Sequence, residues 1–296
     1  MKTKCFFLWL ALSAFPAGAA WQYNLPDTGL LPYAARVSGT NAMGERHGGS
    51  TLQWERVNVQ VPLADPFRSG GEGWMFNASL GLDWTHLKAT GPVRPEHEEL
   101  FTMRLPLGVV CPLAQGQHVA FCFLPTVATD GAGSGHSFVP VSAVDYRLCR
   151  SETFTCSVGL VYDSHTIDSY VSPYLTFVWK PTPDWRISLT DCALRGMREL
   201  GGGWAAGLFA GGVFGTWAMH EQEGTTLLRL RTLVVGARVE REFSRNEHTT
   251  SFFFADVGST LTTSLQRVRP RALDEPLSNH HYHPGLYVSL GFDCRF

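Results

Sequence analysis

The sequence predicts an all-β chain: a closed antiparallel transmembrane β-barrel of about fourteen strands in an up-and-down meander, with twelve strands as the alternative. Three observations carry this prediction. Apolar and polar residues alternate with a period of two along most of the chain, and helical periodicity is nowhere sustained. The polar face of the alternating segments is rich in Gly, Ser, Asn, Asp and Arg, which suits a wet or ion-paired interior better than the solvated face of a soluble sandwich. Finally, the closing stretch GLYVSLGFDCRF alternates without a fault, from Leu286 through Val288, Leu290, Phe292 and Cys294 to Phe296.

The chain begins with Lys2 and Lys4, an apolar run from Cys5 to Phe15, and small residues at Ala17 and Ala19, the pattern of a cleaved signal peptide over residues 1–19. The apolar run is too short for a membrane-crossing helix, which needs about 20 residues. Residues 20–296 form the expected barrel. Removing residues 1–19 takes away two basic residues and no acidic one, leaving 22 basic against 26 acidic and a formal charge of −4. This is no footprint for nucleic acid.

Each later segment follows the two-residue period. GWMFNASLGLDW puts Trp74, Phe76, Ala78, Leu80, Leu82 and Trp84 on one face. Ten residues at about 3.3 Å each, tilted by about 40°, span roughly 25 Å, the height of a lipid-facing band between two aromatic girdles. FTMRLPLGV, HVAFCFLPTV and TFTCSVGLVY repeat the pattern, as do segments around 175–179, 185–189, 204–214, 233–239 and 253–257. Both ends of such a barrel lie in the periplasm, so the strand number is even. Twelve visible segments fail on parity between KPTPDW (180–185) and FSRNEH (243–248), both of which read as periplasmic turns. Taking CALRGMREL (192–200) as a separate descending strand before Gly201–Gly203, and LLPYAARVSG (30–39) as the first strand, gives fourteen. External loops are then expected near 88–98, 129–136, 164–169, 219–224 and 262–284, the last being longest.

Six cysteines remain beyond the leader. Cys149 and Cys156 flank a short hairpin, but alternation puts Cys156 with Phe154 and Val158, and Cys149 with Arg147 and Asp145. Opposite faces argue against pairing. Most of these cysteines read as small apolar residues.

A terminal alternating strand ending in an aromatic resembles the closing strand of bacterial outer-membrane β-barrels, which implies a Gram-negative outer membrane, with Phe292 and Phe296 as the signal read by the barrel-assembly machinery. The segments VGLVYDS, YLTFVWKPTPDWRISL and LVVGARVEREFSRNEHTTSFFFADVGS, followed by YVSLGFDCRF, resemble an uncharacterised family of such barrels defined only as a domain of unknown function. The resemblance implies fold and location, with the lipid bilayer and lipopolysaccharide as surroundings. It carries no catalytic residue across.

Chemistry is sparse. His280, His281 and His283 in NHHYH lack a Cys or carboxylate at metal-ligand spacing, so no metal site and no cofactor are expected. Asp163, Ser164 and His165 have the residue types of a triad, but neighbours on a strand point to opposite faces. His86 falls on the lipid face near the outer rim with no Ser opposite it, and no enzymatic activity is expected. The charges at inward positions say more. Asp83, Arg104, Lys180, Arg186, Asp293 and Arg295, with Arg229, Arg231, Arg238 and Glu240 in less fixed register, belong inside, because Arg or Lys at mid-depth in lipid costs about 2–4 kcal/mol. They either border a porin-like channel for small solutes or pair across the lumen in a non-conducting surface protein anchored by its barrel.

Overall fold

The computed structural model describes residues 34–295 except 48–49, 64–66, 69–72, 92, 114–116, 132–136, 164–169, 191, 222–223, 246–249 and 270–271. The expected leader therefore lies outside the described residues, as does Phe296. Fourteen wall strands run in sequence order, each antiparallel to the next, and the last pairs with the first to close the ring. They are β1 (Ala34–His47), β2 (Ser50–Pro62), β3 (Met75–Ala89), β4 (Glu99–Arg104 continued by Leu107–Pro112), β5 (His118–Thr129), β6 (Phe138–Arg150) and β7 (Phe154–Asp163). The second half holds β8 (Tyr170–Thr182), β9 (Trp185–Thr190), β10 (Ala193–Gly201), β11 (Trp204–Glu221), β12 (Gly224–Arg245), β13 (Thr250–Arg269) and β14 (Ala272–Tyr282 continued by Leu286–Arg295).

The two strands that parity demanded are present. β10 occupies the CALRGMREL segment, and the turn after it is tight because Gly201, Gly202 and Gly203 take φ of +89°, +60° and +78°. That left-handed region is one a side chain enters only under strain. The expected loop at 262–284 is corrected. β13 runs on to Arg269 and pairs with Ala272–Tyr282 from Thr263↔Tyr282 to Arg269↔Ala272, so most of that stretch is a hairpin. Pro270, Pro276 and Pro284 punctuate it like a loop, yet register shifts on either side of Val268 absorb the irregularity within a paired ladder.

The cysteine reading is corrected as well. Cys149 and Cys156 are direct register partners, because a shift between Arg147 and Cys149 makes Leu148 the extra residue. One inserted residue turns Cys149 onto the face of Cys156.

Polarity changes sides along the strands. On β2 the outward residues Val61, Val59 and Val57 give way to Glu55 and Gln53, while the inward Gln60, Asn58 and Arg56 give way to Trp54 and Leu52. On β3, outward Leu80, Leu82 and Trp84 precede His86 and Lys88, while inward Gly81, Asp83 and Thr85 precede Leu87 and Ala89. The register ties these switches together, pairing Val57 with Trp84 and Trp84 with Phe101, then Glu55 with His86 and His86 with Glu99. Below the switch the wall is apolar outside and polar inside, as lipid requires. Above it the wall is built like a soluble protein. The expectation of a hydrophilic interior therefore holds for only part of the height.

Candidate functional site

The lumen is the place to look for function, and its outer half is filled. β9 and β10 are short, meeting at Thr190↔Ala193, and β10 reaches along β11 only as far as Gly211. β11 continues for ten further residues to Glu221, paired with β12 along its whole length on its other side. Among the described residues, the edge that β10 leaves uncovered docks on β5, where Ala218 pairs parallel with Thr129. β5 and β11 stand six places apart in a ring of fourteen, so this contact spans the barrel.

Side chains secure the crossing. The Asp130 backbone N–H donates to the Ala218 carbonyl oxygen at 3.2 Å, and the His220 N–H donates to Asp130 Oδ2 at 3.0 Å. Trp217 Nε1 donates to Thr102 Oγ1 at 3.1 Å, and Arg56 Nη1 to the Phe214 carbonyl oxygen at 3.0 Å. Burial shows the consequence. Gly215–Met219 are buried without alternation, as are Leu227–Leu230, so the outer part of the β11–β12 hairpin is covered on both faces. Trp217, Met219, Leu228, Leu230 and Leu265 pack with Leu52, Trp54, Leu87 and Leu100 in one apolar cluster. Among the described residues it packs the outer part of the lumen with apolar side chains.

Beneath that layer lies a belt of ion pairs. Asp83, buried at 4% exposure, takes Arg56 at 3.0 Å, Arg104, and the Asn58 amide at 2.5 Å. Arg36 meets Asp293 at 2.9 Å across the closing seam of β1 and β14. On the other side Glu240 bridges Arg186 and Arg238, each at 2.8 Å, and Arg238 also reaches Asp256 at 3.2 Å while lying 4.0 Å above the Phe254 ring. A third group sits between, where the Tyr174 hydroxyl donates to Asp145 Oδ2 at 3.1 Å. Where both partners are buried, as in Arg104 with Asp83 and Arg238 with Asp256, removing one leaves the charge of the other without a partner.

At the periplasmic end the interior opens into a cavity of about 470 Å³, bordered by Arg186, Glu199, Glu240, Glu242 and Thr250. Of the residues singled out in the sequence, Asp83, Arg104 and Asp293 thus lie buried in the belt and Arg186 stands between belt and cavity. Lys180 is exposed at the periplasmic end of β8, and Arg295 lies in the closing strand, where it pairs with Ala34. Asp145 and Asp256 join the belt from outside that set; both are buried on inward positions of alternating strands, which is the signal that finds them.

The other motifs take no part in the ion-pair belt. Ser164 and His165 lie outside the described residues. His86 stacks on Trp84, and its Nδ1 lies 2.7 Å from Glu99 Oε1 on the outer surface. His280 packs edge-on against Tyr282, and His281 lies 3.2 Å from the Asn279 amide.

The exterior decides location. Leu82, Phe101, Phe121, Leu160, Val257 and Leu290 are all exposed on one continuous wall, with Leu208 reaching 70% exposure. No protein in water keeps such a belt uncovered, and a closed antiparallel ring leaves no backbone edge to solvate in lipid. The chain is an outer-membrane β-barrel.

No family model matches the chain, and no curated protein does. Several solved structures resemble it distantly. A bacterial polysaccharide outer membrane secretin is 11% identical at a TM-score of 0.34, over 89% of this chain and 98% of that one. Pseudomonas aeruginosa OpdQ is 9% identical at 0.29, over 89% and 96%. The outer membrane protease OmpT of Escherichia coli is 9% identical at 0.20, over 90% and 94%. Similarities this distant carry no argument about what the lumen does.

Proposed function

We propose that this chain is a closed, non-conducting and non-enzymatic surface protein, anchored by its barrel and presenting its outer hairpins to the outside. The observation that carries the reading is the docking of β11 on β5 across the lumen, which replaces an aqueous passage with the packed layer around Trp54 and Trp217. Lipopolysaccharide around the outer rim and the barrel-assembly machinery acting on the closing strand are the partners this reading expects. Phe292 faces outward in that strand, clustered with Phe243 and Phe253 at ring-centroid distances of 5.6 and 5.4 Å.

A porin-like channel for small solutes is the second reading. What favours it is that closure comes from a hairpin and not from the wall: displacing that hairpin would join the periplasmic cavity to the outside past Asp83, Arg104, Arg186 and Asp293, whose charges would set the field. Planar-bilayer recording of the full mature chain separates the two. The first reading expects a silent membrane at confirmed protein occupancy, with conductance steps appearing when residues 216–229 are replaced by a short turn. Steady steps from the unaltered chain would establish the second.

A further inference from the structure

The lipid-facing wall carries a groove that the reading of the lumen does not use. Near the periplasmic rim, the register brings Trp204 beside Arg241, Arg241 beside Phe253, and Phe253 beside Phe292 across four strands. These large side chains form a ridge. Two residues further toward the outside the next row runs Val239, Ala255, Leu290 and Gly39, aliphatic and small residues in turn, and a methyl group placed on Gly39 would meet nothing within 4 Å. Large residues beside small ones leave a trough of about 640 Å³ on the surface.

One charge stands at its end. The Arg241 guanidinium lies 4.9 Å over the Trp204 ring and donates to the Gly202 carbonyl oxygen at 2.7 Å. Trp204 opens β11 directly after the Gly201–Gly203 turn, so the pair sits at the level of the inner headgroups, where aromatic girdles lie. An outward arginine beside lipid calls for an anion, and a planar guanidinium suits phosphate oxygens.

We infer that this groove is a specific site for one anionic phospholipid of the periplasmic leaflet, its acyl chain lying over Ala255 and Gly39 and its phosphate held by Arg241. The guanidinium with an apolar trough beside it matches a phosphate headgroup and its acyl chain, and a second copy of the chain, whose rim carries Glu152 and Asp184, is separated from this occupant by the test below. The site is independent of whether the barrel conducts.

The test uses the mature chain in nanodiscs of phosphatidylglycerol or phosphatidylcholine, followed by detergent delipidation and native mass spectrometry of the lipid retained. The inference expects one phosphatidylglycerol held in preference to phosphatidylcholine by about fivefold, the discrimination one basic residue near a surface gives. Arg241→Gln is expected to abolish the preference, and Ala255→Leu, which fills the trough, to remove the retained lipid altogether. Gel mobility before and after heating confirms that each variant is folded. Equal retention of the two lipids by the unaltered chain, or retention unchanged in both variants, overturns the inference in favour of ordinary surrounding lipid. A dimer that Ala255→Leu dissolves without altering lipid retention overturns it in favour of a second copy.

Discussion

At Asp83 a single buried carboxylate holds two arginines and an amide. Asp83→Asn leaves the buried Arg104 and the half-buried Arg56 without their counter-charge, and the expected loss is about 3–5 kcal/mol, read as a lower denaturant midpoint in proteoliposomes. The outward face has the opposite rule. Leu80 lies midway along the Trp74–Trp84 span, so Leu80→Arg is expected to cost about 2–4 kcal/mol, while His86→Arg, above the polarity switch, costs about 0–1 kcal/mol. Equal costs at the two positions would contradict the lipid boundary drawn here. Cys149 and Cys156, brought face to face by the extra residue Leu148, are expected to be the two thiols that mild oxidation protects from alkylation. Protection of neither, or survival of the effect in Cys149→Ser, would show that the bulge is misplaced. Alternation alone hid this pair, because one inserted residue reverses every later assignment on the strand.

Among the elements, β11, β12 and β13 are the long strands, with 18, 22 and 20 residues where about 9–11 suffice to cross a membrane. Length therefore marks strands that rise beyond the bilayer and does not by itself single out the crossing hairpin. Its alternation looks like that of any wall strand, since whether a strand stands in the wall or leans across the lumen depends on partners far along the chain. Leu227 followed by Leu228 is the local hint, because adjacent apolar residues on a strand need cover on both faces. Trp217→Ala removes both the bond to Thr102 and much of the apolar layer. Its expected cost is about 3–5 kcal/mol, as for other buried aromatics, and hydrogen exchange in residues 213–230 is expected to rise while the β1–β4 wall stays protected. A uniform rise throughout the barrel would mean that the hairpin is no separate unit.

The whole molecule follows from two solvents. Lipid demands an apolar exterior and paired backbone, which fixes a closed ring, and even parity then brings fourteen strands into view from turn chemistry at 180–185, 201–203 and 243–248. All of that was legible in the sequence, because it depends on period and punctuation. The filling of the ring was not, because inward charges such as Asp83, Arg104 and Arg186 have the same pattern whether they line water or pair with one another. Above the bilayer the demand reverses, and the same strands bury Trp54, Leu87 and Trp217 inside. The crossing of β11 to β5 is what makes that apolar core possible in a barrel this wide. Thr129→Cys with Ala218→Cys, in a chain otherwise free of cysteine and reconstituted in liposomes, tests it directly by oxidation and peptide mapping. A fast intramolecular cross-link between the two positions is the result expected; two thiols that both remain open to alkylation would contradict the closure.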